Sequence, residues 1–143
     1  VSQRSRGGND VWLVKTDPFG NKLWNKRLGG EGDDRCYAPP LEKANGNFIL
    51  ALRSSSGESD YKADSAIGHV DLWLVEIDSS GNKLWDKTYG GWGNDYAEGF
   101  LSDSKGNLLV LSRSNSSNGV DVTEVNQGLY DFWLLKLDPY GNK

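Results

Sequence analysis

The sequence predicts an all-β protein built from a repeated unit of 60–61 residues. Segment 10–22 returns at 71–83 and again at 131–143, each time starting with Asp, an apolar residue and Trp. The composition, with 18 Gly, 6 Trp and 6 Tyr against 4 Pro, suits short strands joined by tight turns. No segment is typical of a helix. A repeat of this length buries its apolar face against neighbouring units.

Each unit divides into four predicted strands separated by turn signals. In the best-covered copy these strands are 37–43, 47–54, 71–78 and 83–89, and in the following copy they are 96–103, 107–114 and 131–138. The opening residues 1–5 resemble the end of a second strand, because Arg4-Ser5 matches Arg53-Ser54 and Arg113-Ser114. Four short strands per unit are typical of a β-propeller blade. We therefore predict a β-propeller segment of four-stranded antiparallel blades, with about two and a third repeats.

The same repeat predicts how the chain is divided. Residues 1–32 are expected to form the end of a preceding blade, 33–93 one complete blade, and 94–143 most of a following blade, all within one propeller. Two and a third blades cannot close a ring. We therefore expect the rest of the propeller in the same parent chain or in copies of this one, and the interrupted ends favour a longer parent.

The turns repeat together with the strands. Segments 17–21, 78–82 and 138–142 share the form D-x-x-G-N, in which Asp accepts backbone N–H bonds and Gly adopts a positive φ. This form predicts a hairpin with a type I turn and a bulge. Shorter turns at 45–47 and 105–107 separate the first and second strands. The calcium-loop pattern of alternating oxygens and a closing Glu is missing, so we predict a structural role for these Asp residues.

One long run of motifs carries a resemblance to a known family. It reads WLVEIDSSGNKLW at 73–85, YGGWGNDYA at 89–97 and DSKGNLLV at 103–110. This order resembles the bacterial SBBP-type β-propeller repeat and is similar to repeats of secreted and surface proteins of Bacteroidetes. The segment 81–85 is more distantly similar to quinoprotein propeller repeats. The resemblance implies a secreted or surface propeller, and nothing here corresponds to the quinoprotein cofactor pocket, so no cofactor is expected.

Composition excludes several classes of function. The net charge is −4 with interspersed signs, and no basic stripe exists for a phosphate backbone to follow, so nucleic-acid binding is not expected. No apolar run approaches the roughly twenty residues needed to span a bilayer. The single Cys36 cannot form an internal disulfide and is predicted to be a small buried hydrophobe; a reactive thiol is the alternative. Cysteine usage does not decide the compartment.

Acid–base catalysis has little support in the sequence. With one His and one Cys, only carboxylates such as Asp33, Asp34 and Asp95 are available, and they are candidates merely by clustering. Asp34 and Asp95 recur at equivalent positions, which favours a structural role in fixing the turn after Gly-Gly. The two copies also differ by one residue near Pro39-Pro40, which predicts a bulge or a sheet boundary there.

Five of the six Trp residues occupy repeated positions. Trp12, Trp73 and Trp133 share one position and Trp24 and Trp85 another, so all five are predicted to pack between blades. Trp92 is different, because its counterpart in the preceding copy is Glu31. An exposed Trp between two glycines would suit stacking on a sugar or on a partner side chain. The alternative is that it folds back over the neighbouring blade.

The longest variable connections, 55–70 and 115–130, join the second strand to the third, whereas the equivalent 6–9 is short. Loops of this length are usually functional or loosely ordered, and we expect both to project side by side from one rim. The candidate ligand-binding residues are Trp92, Tyr61, Asp64, His69, Asp121, Glu124 and Tyr130. The predicted function is a noncatalytic extracellular or cell-surface scaffold that binds glycan or protein. The alternatives are a polysaccharide-active enzyme or its accessory propeller, and a structural subunit of a larger surface assembly.

Overall fold

The computed structural model describes residues 6–143, so the strand end predicted at 1–5 lies outside the described residues. The described chain is all-β with antiparallel sheets, as predicted. Its strands are β1 (Val11–Thr16), β2 (Lys22–Leu28), β3 (Asp34–Cys36), β4 (Leu41–Glu42), β5 (Phe48–Ser54), β6 (Asp71–Ile77), β7 (Lys83–Tyr89), β8 (Asp95–Ser102), β9 (Leu108–Ser114) and β10 (Asp131–Leu137). Residues 6–143 contain no helix capable of crossing a membrane.

The strands form three sheets, each following the order of the chain. The first sheet pairs β1 with β2. The central sheet has the order β3-β5-β6-β7, with β4 also paired to β5, and the third sheet has the order β8-β9-β10. One isolated parallel bridge, between Val70 and Asn94, joins the end of one long loop to the segment before β8. All strand pairs within the sheets are antiparallel. They join strands that follow each other along the chain, except that β3 pairs with β5 and not with β4.

The first strand of the central sheet differs from the prediction of 37–43. It begins at Asp34, stops after Cys36 and resumes at Leu41–Glu42, and both pieces pair with β5. The gap contains Pro39-Pro40, which have no N–H to donate to a ladder. The irregularity predicted there is therefore a break in the strand and not a sheet boundary, because β3 and β4 belong to the same sheet. The equivalent β8 is continuous and absorbs its irregularity as a register shift between Ala97 and Gly99.

Five turns share one geometry. In the turns 17–21, 78–82 and 138–142, the N–H of the leading Asp donates to the carbonyl of the closing Asn, and the Gly N–H donates to the Asp carbonyl. The φ angle of the Gly lies between 78° and 84°. Register shifts beside the first two supply the predicted bulge. The turns at 43–47 and 103–107 make the same two bonds, so the shorter form predicted for them is wrong. A hydrogen bond from Asn82 to the Asp78 side chain lowers the pKa of that carboxyl, a strictly local effect.

The central sheet is buried on both faces. Leu50, Leu52, Trp73 and Val75 pack towards Val11 and Leu28 of the first sheet. On the other face, Ile49, Ala51, Leu72 and Leu74 pack towards Ala97, Val110 and Leu135 of the third sheet. All seven residues of β6 are buried. A strand covered on both faces is expected to be apolar almost throughout, and the segment DLWLVEI satisfies this except at its first residue and at Glu76.

The outer faces of the two flanking sheets are exposed. Trp73 is fully buried and Trp24, Trp85 and Trp133 are partly buried in apolar clusters, but Trp12 is 68% exposed. The packing predicted for Trp12 is therefore not found, because no described sheet covers that face of β1. Cys36 is also exposed rather than buried, since it lies where the split strand leaves the ladder, and its thiol donates to the Ala38 carbonyl at 3.1 Å.

Candidate functional site

The two long loops meet at the segment 90–94, which joins β7 to β8. From loop 55–70, His69 N–H donates to the Gly93 carbonyl at 2.9 Å. From loop 115–130, the Asn118 carbonyl accepts from Trp92 N–H at 3.2 Å, and Ser116 Oγ accepts from Gly93 N–H at 2.9 Å. Both loops therefore lie at one rim, as predicted, but the segment 90–94 lies between them and they contact it rather than lying directly side by side. We call these three segments, 55–70, 90–94 and 115–130, the rim.

Trp92 presents its ring at the rim. Its backbone is tightly enclosed, because a Cβ added at Gly91 would lie 2.6 Å from the Ser116 Cβ, and one added at Gly68 would lie 2.5 Å from the Gly93 carbonyl oxygen. Its side chain is nevertheless 69% exposed. The ring does not fold back over a neighbouring sheet, so the alternative considered from the sequence is not found. A backbone fixed by two loops holds an exposed indole.

His69, Asp121 and Glu124 have different surroundings. His69 is exposed and is joined to the Trp92 segment through its backbone N–H. Asp121 is occupied, since its carboxylate accepts from Gly90 N–H at 3.1 Å and forms an ion pair with Lys143. Its carboxylate therefore links loop 115–130 to Gly90 and to Lys143. Glu124 is exposed on loop 115–130.

Tyr61 and Asp64 lie on loop 55–70 without forming a common site with these residues. The Tyr61 ring is covered by the Arg6 guanidinium at 4.4 Å, and its carbonyl accepts from Lys83 Nζ at 2.7 Å. The Asp64 side chain is exposed, and its carbonyl accepts from the buried Lys62 Nζ at 2.5 Å. The bond from Lys83, at the start of β7, anchors the loop to the central sheet.

Tyr130 belongs to a cluster that the sequence did not reveal. The Arg53 guanidinium lies over Tyr37 at 4.0 Å and over Tyr96 at 4.7 Å. The Arg113 guanidinium lies 5.1 Å from both Tyr96 and Tyr130, whose rings stack at 5.6 Å. We call Tyr37, Arg53, Tyr96, Arg113 and Tyr130 the arginine–tyrosine ladder. Cation–π contacts of this kind suit arginine, whose planar group stacks on aromatic faces.

Glu98 and a backbone carbonyl fix the ladder. Glu98 Oε1 accepts from Arg53 Nη2 at 2.9 Å and pairs with Arg113 Nε at 2.8 Å. The Ala97 carbonyl accepts two further bonds from Arg53, at 3.3 and 3.1 Å. Both arginines are therefore oriented by acceptors as well as by stacking. The register shift at Ala97/Gly99 lies in the strand that supplies these acceptors.

The ladder forms one wall of a cleft of about 330 Å³. The cleft is lined by Asp33, Arg35, Tyr37, Arg53, Val70, Tyr96 and Arg113. Arg35 and Asp33 approach each other to 3.5 Å, and the pKa of the Asp33 carboxyl is lowered chiefly by the Asn9 backbone N–H that it accepts at 2.8 Å. Asp33 is therefore held as an acceptor beside three guanidinium groups. We call this feature the arginine cleft.

The sequence contained only part of the signal for this cleft. Arg53 and Arg113 recur at equivalent positions and could have been marked as a repeated pair. The aromatic members do not recur, because Tyr96 matches Arg35 and Tyr37 matches Glu98 with the 61-residue offset. Contacts between sheets bring them together.

A second cavity of about 330 Å³ lies between the first and central sheets. Only Lys15 and Glu42 among its lining residues are charged, and Lys15 Nζ already donates to the Ser79 carbonyl at 3.0 Å. The other lining residues are Leu13, Val14, Trp24, Pro40, Phe48, Leu50 and Ile77. It offers fewer polar groups to orient a ligand than the arginine cleft does.

Asp34 and Asp95 hold equivalent turns. Asp34 Oδ2 accepts from Gly30 N–H at 2.8 Å and from Ser56 Oγ at 2.6 Å. Asp95 Oδ2 accepts from Gly91 N–H at 2.8 Å and from Ser116 Oγ at 2.9 Å. Both carboxyl groups are buried. The structural role predicted for these two residues, fixing the turn after Gly-Gly, is confirmed.

Within residues 6–143, no group of three His, Cys, Asp or Glu residues is arranged to hold a metal ion. No family model matches the chain, and no curated protein matches it. The geometry of the rim and of the arginine cleft therefore has to carry the functional interpretation.

Proposed function

We propose that the chain is a noncatalytic, extracellular or cell-surface β-propeller scaffold that binds a glycan or a protein with the rim and the arginine cleft. The proposed binding function is supported by one observation: Trp92 is exposed on a fixed backbone that is joined to a cleft of stacked arginines and tyrosines. Backbone contacts connect them, because Asn94 bridges Val70 of the cleft and Gly93 bonds to His69. Exposed aromatic and arginine side chains on a rigid framework are the residues most used for recognition.

The propeller part is supported by the two outer faces. Phe132 and Leu134 follow Leu72 and Leu74 by 60 residues. Leu72 and Leu74 are fully buried under the third sheet, whereas Phe132 is 84% exposed and Leu134 60% exposed. The third sheet thus carries an apolar face equivalent to one that the central sheet buries. A further blade of the same repeat would cover it, and the extracellular location follows from the resemblance of the repeat.

Glycan-array and pull-down binding by the chain and by Trp92→Ala test the binding function. We expect the variant to lose roughly tenfold in affinity, as for an aromatic contact at the centre of an interface. Tyr140→Ala is the matched control, because Tyr140 is as exposed as Trp92 but lies in the turn after β10, at the other end of that strand from loop 115–130. Binding that is unchanged both in Trp92→Ala and in a variant with a shortened 55–70 loop would contradict the proposal.

A structural subunit of a larger surface assembly is the second candidate, favoured by the exposed face of β10. It predicts that the chain associates head to tail with increasing concentration, as measured by light scattering. Phe132→Ser combined with Leu134→Ser should reduce that association, whereas Val120→Ser, an exposed change on loop 115–130, should not. A chain that stays monomeric at high micromolar concentration would rule out assembly through this face.

A further inference from the structure

We infer that the arginine cleft takes an acidic saccharide, with the anionic group bound by Arg113 and Arg35 and the sugar ring on Tyr37. The inference rests on the proposed binding function and names its ligand class. Three guanidinium groups line the cleft and, within the described part of the chain, are paired with only two carboxylates, Asp33 and Glu98, which leaves a net charge of +1 there, while the whole chain has a net charge of −4. Positive charge is therefore concentrated locally on an acidic protein, which selects for an anionic ligand group.

The donors of Arg113 are only partly used. Within residues 6–143, its Nε pairs with Glu98, and its two Nη groups have no hydrogen-bond partner. Arg53 is different, because its Nε and Nη2 donate hydrogen bonds to the Ala97 carbonyl and to Glu98. Arg113 and Arg35 are about half exposed, whereas Arg53 is largely buried. Arg53 therefore supports the wall, and the Nη groups of Arg113 are left to bind a carboxylate or a sulfate. Arg35 already contacts Asp33 at 3.5 Å and the Tyr37 side chain, and it adds a second half-exposed cation to the cleft.

The binding geometry is fixed before a ligand arrives. Arg113 lies beside the stacked rings of Tyr96 and Tyr130, 5.1 Å from each centroid, and its Nε is tied to Glu98. A guanidinium held in this way loses less conformational entropy on binding than a free side chain does. Its unoccupied Nη edge matches the two oxygens of a carboxylate or sulfate group.

The remaining lining groups suit a sugar ring. Tyr37 lines the cleft with more than half of its side chain exposed, and Arg53 covers one of its faces. Asp33 supplies a carboxylate that can accept sugar hydroxyls. A volume of about 330 Å³ is at the lower end of the usual range for small-ligand sites, which fits one or two sugar units.

Calorimetric titration of the purified chain tests the inference with paired probes that differ only in charge. The probes are trigalacturonate and its fully methyl-esterified form, and 6′-sulfolactose and lactose. We expect one acidic member to bind at least tenfold more tightly than its uncharged counterpart, with an affinity that falls as salt rises from 50 to 300 mM. The two pairs distinguish a carboxylate from a sulfate.

Substitutions test whether Arg113 and Arg35 bind the anionic group of the probe. Arg113→Ala and Arg35→Ala should each lower the affinity for the acidic probe about tenfold or more, as expected for a lost charge-assisted hydrogen bond. Arg6→Ala is the control, because Arg6 lies over Tyr61 and pairs with Asp60 outside the cleft. Thermal unfolding of each variant verifies its fold, and the more exposed Arg35 provides a test if Arg113→Ala proves unstable.

The outcomes of these experiments separate the acidic-saccharide inference from the proposed function. Equal binding of charged and uncharged probes, or acidic binding unaffected by both arginine variants, overturns the acidic-saccharide inference. If neutral glycans or a protein then still bind in a Trp92-dependent way, the proposed function stands and only the ligand class is wrong. If neither the probes, nor a glycan array, nor a pull-down gives Trp92-dependent binding, both are overturned.

Discussion

Two equivalent carboxylates on the first and central sheets are compensated in different ways. Asp10, at the start of the first unit's third strand, lies 3.4 Å from Arg27 on the partner strand. In the next unit Asp71 takes the place of Asp10, but Thr88 takes the place of Arg27. The cation comes instead from loop 55–70, where the fully buried Lys62 donates to Thr88 Oγ1 at 2.8 Å. A long insertion can thus take over a charge that a strand residue supplies elsewhere.

The replacement leaves the second carboxyl less well compensated. Asp71 accepts from Ile67 N–H at 2.5 Å and from Gly68 N–H at 3.1 Å through one oxygen, and its Oδ1 has no hydrogen-bond partner among residues 6–143. A Cβ added at Gly90 would overlap this Oδ1 and lie 2.8 Å from Asp95 Oδ2. Two buried carboxyl groups therefore face each other across a glycine, as Asp10 and Asp34 do across Gly29 in the first unit, but only Asp10 has an arginine beside it. Burial, with the charge of Asp95 adding to it, raises the pKa of Asp71 to about 6.

The largest expected effect comes from removing the strand cation. Arg27→Ala leaves the nearly buried Asp10 without its partner, and breaking a buried pair costs about 3 to 5 kcal/mol. Thr88→Ala at the equivalent position removes only one of two acceptors of Lys62 and should cost about 1 kcal/mol. Urea unfolding of both variants measures the difference. Equal losses would show that the two sites are compensated alike.

The protonation of Asp71 gives the next effect. Its folded pKa lies above the unfolded value of 3.8, so the stability that it contributes is complete below about pH 4 and is lost as pH rises through about 6. The shift of about two pH units corresponds to roughly 3 kcal/mol. Asp71→Asn should therefore be more stable than the parent at pH 7 by up to this amount and similar to it at pH 4. Unfolding curves at pH 4, 5, 6 and 7 test this, and an unchanged pH dependence in Asp71→Asn would contradict it.

These contrasts show which features a sequence can predict. The strands 47–54, 71–78 and 83–89 and the D-x-x-G-N turns follow from local patterns and were located within one residue. The burial of Lys62 could not be predicted, because a charge on a polar loop gives no local sign that it is buried. The arginine–tyrosine ladder likewise depends on contacts between β5, β8 and β9, and its tyrosines do not share a repeat position.

The smallest effect tests the feature that the two units share. Ser56 and Ser116 each donate to the buried Asp of their unit, at 2.6 and 2.9 Å, and accept a glycine N–H, at 3.0 and 2.9 Å. Ser56→Ala and Ser116→Ala should each cost about 1 to 2 kcal/mol of unfolding free energy, because a buried carboxylate and an N–H both lose a partner. The two losses should agree within about 0.5 kcal/mol, since the partners are the same in both units. A clearly larger loss in Ser116→Ala would instead point to the pair Asp71 and Asp95, because the equivalent pair in the first unit, Asp10 and Asp34, has Arg27 beside it.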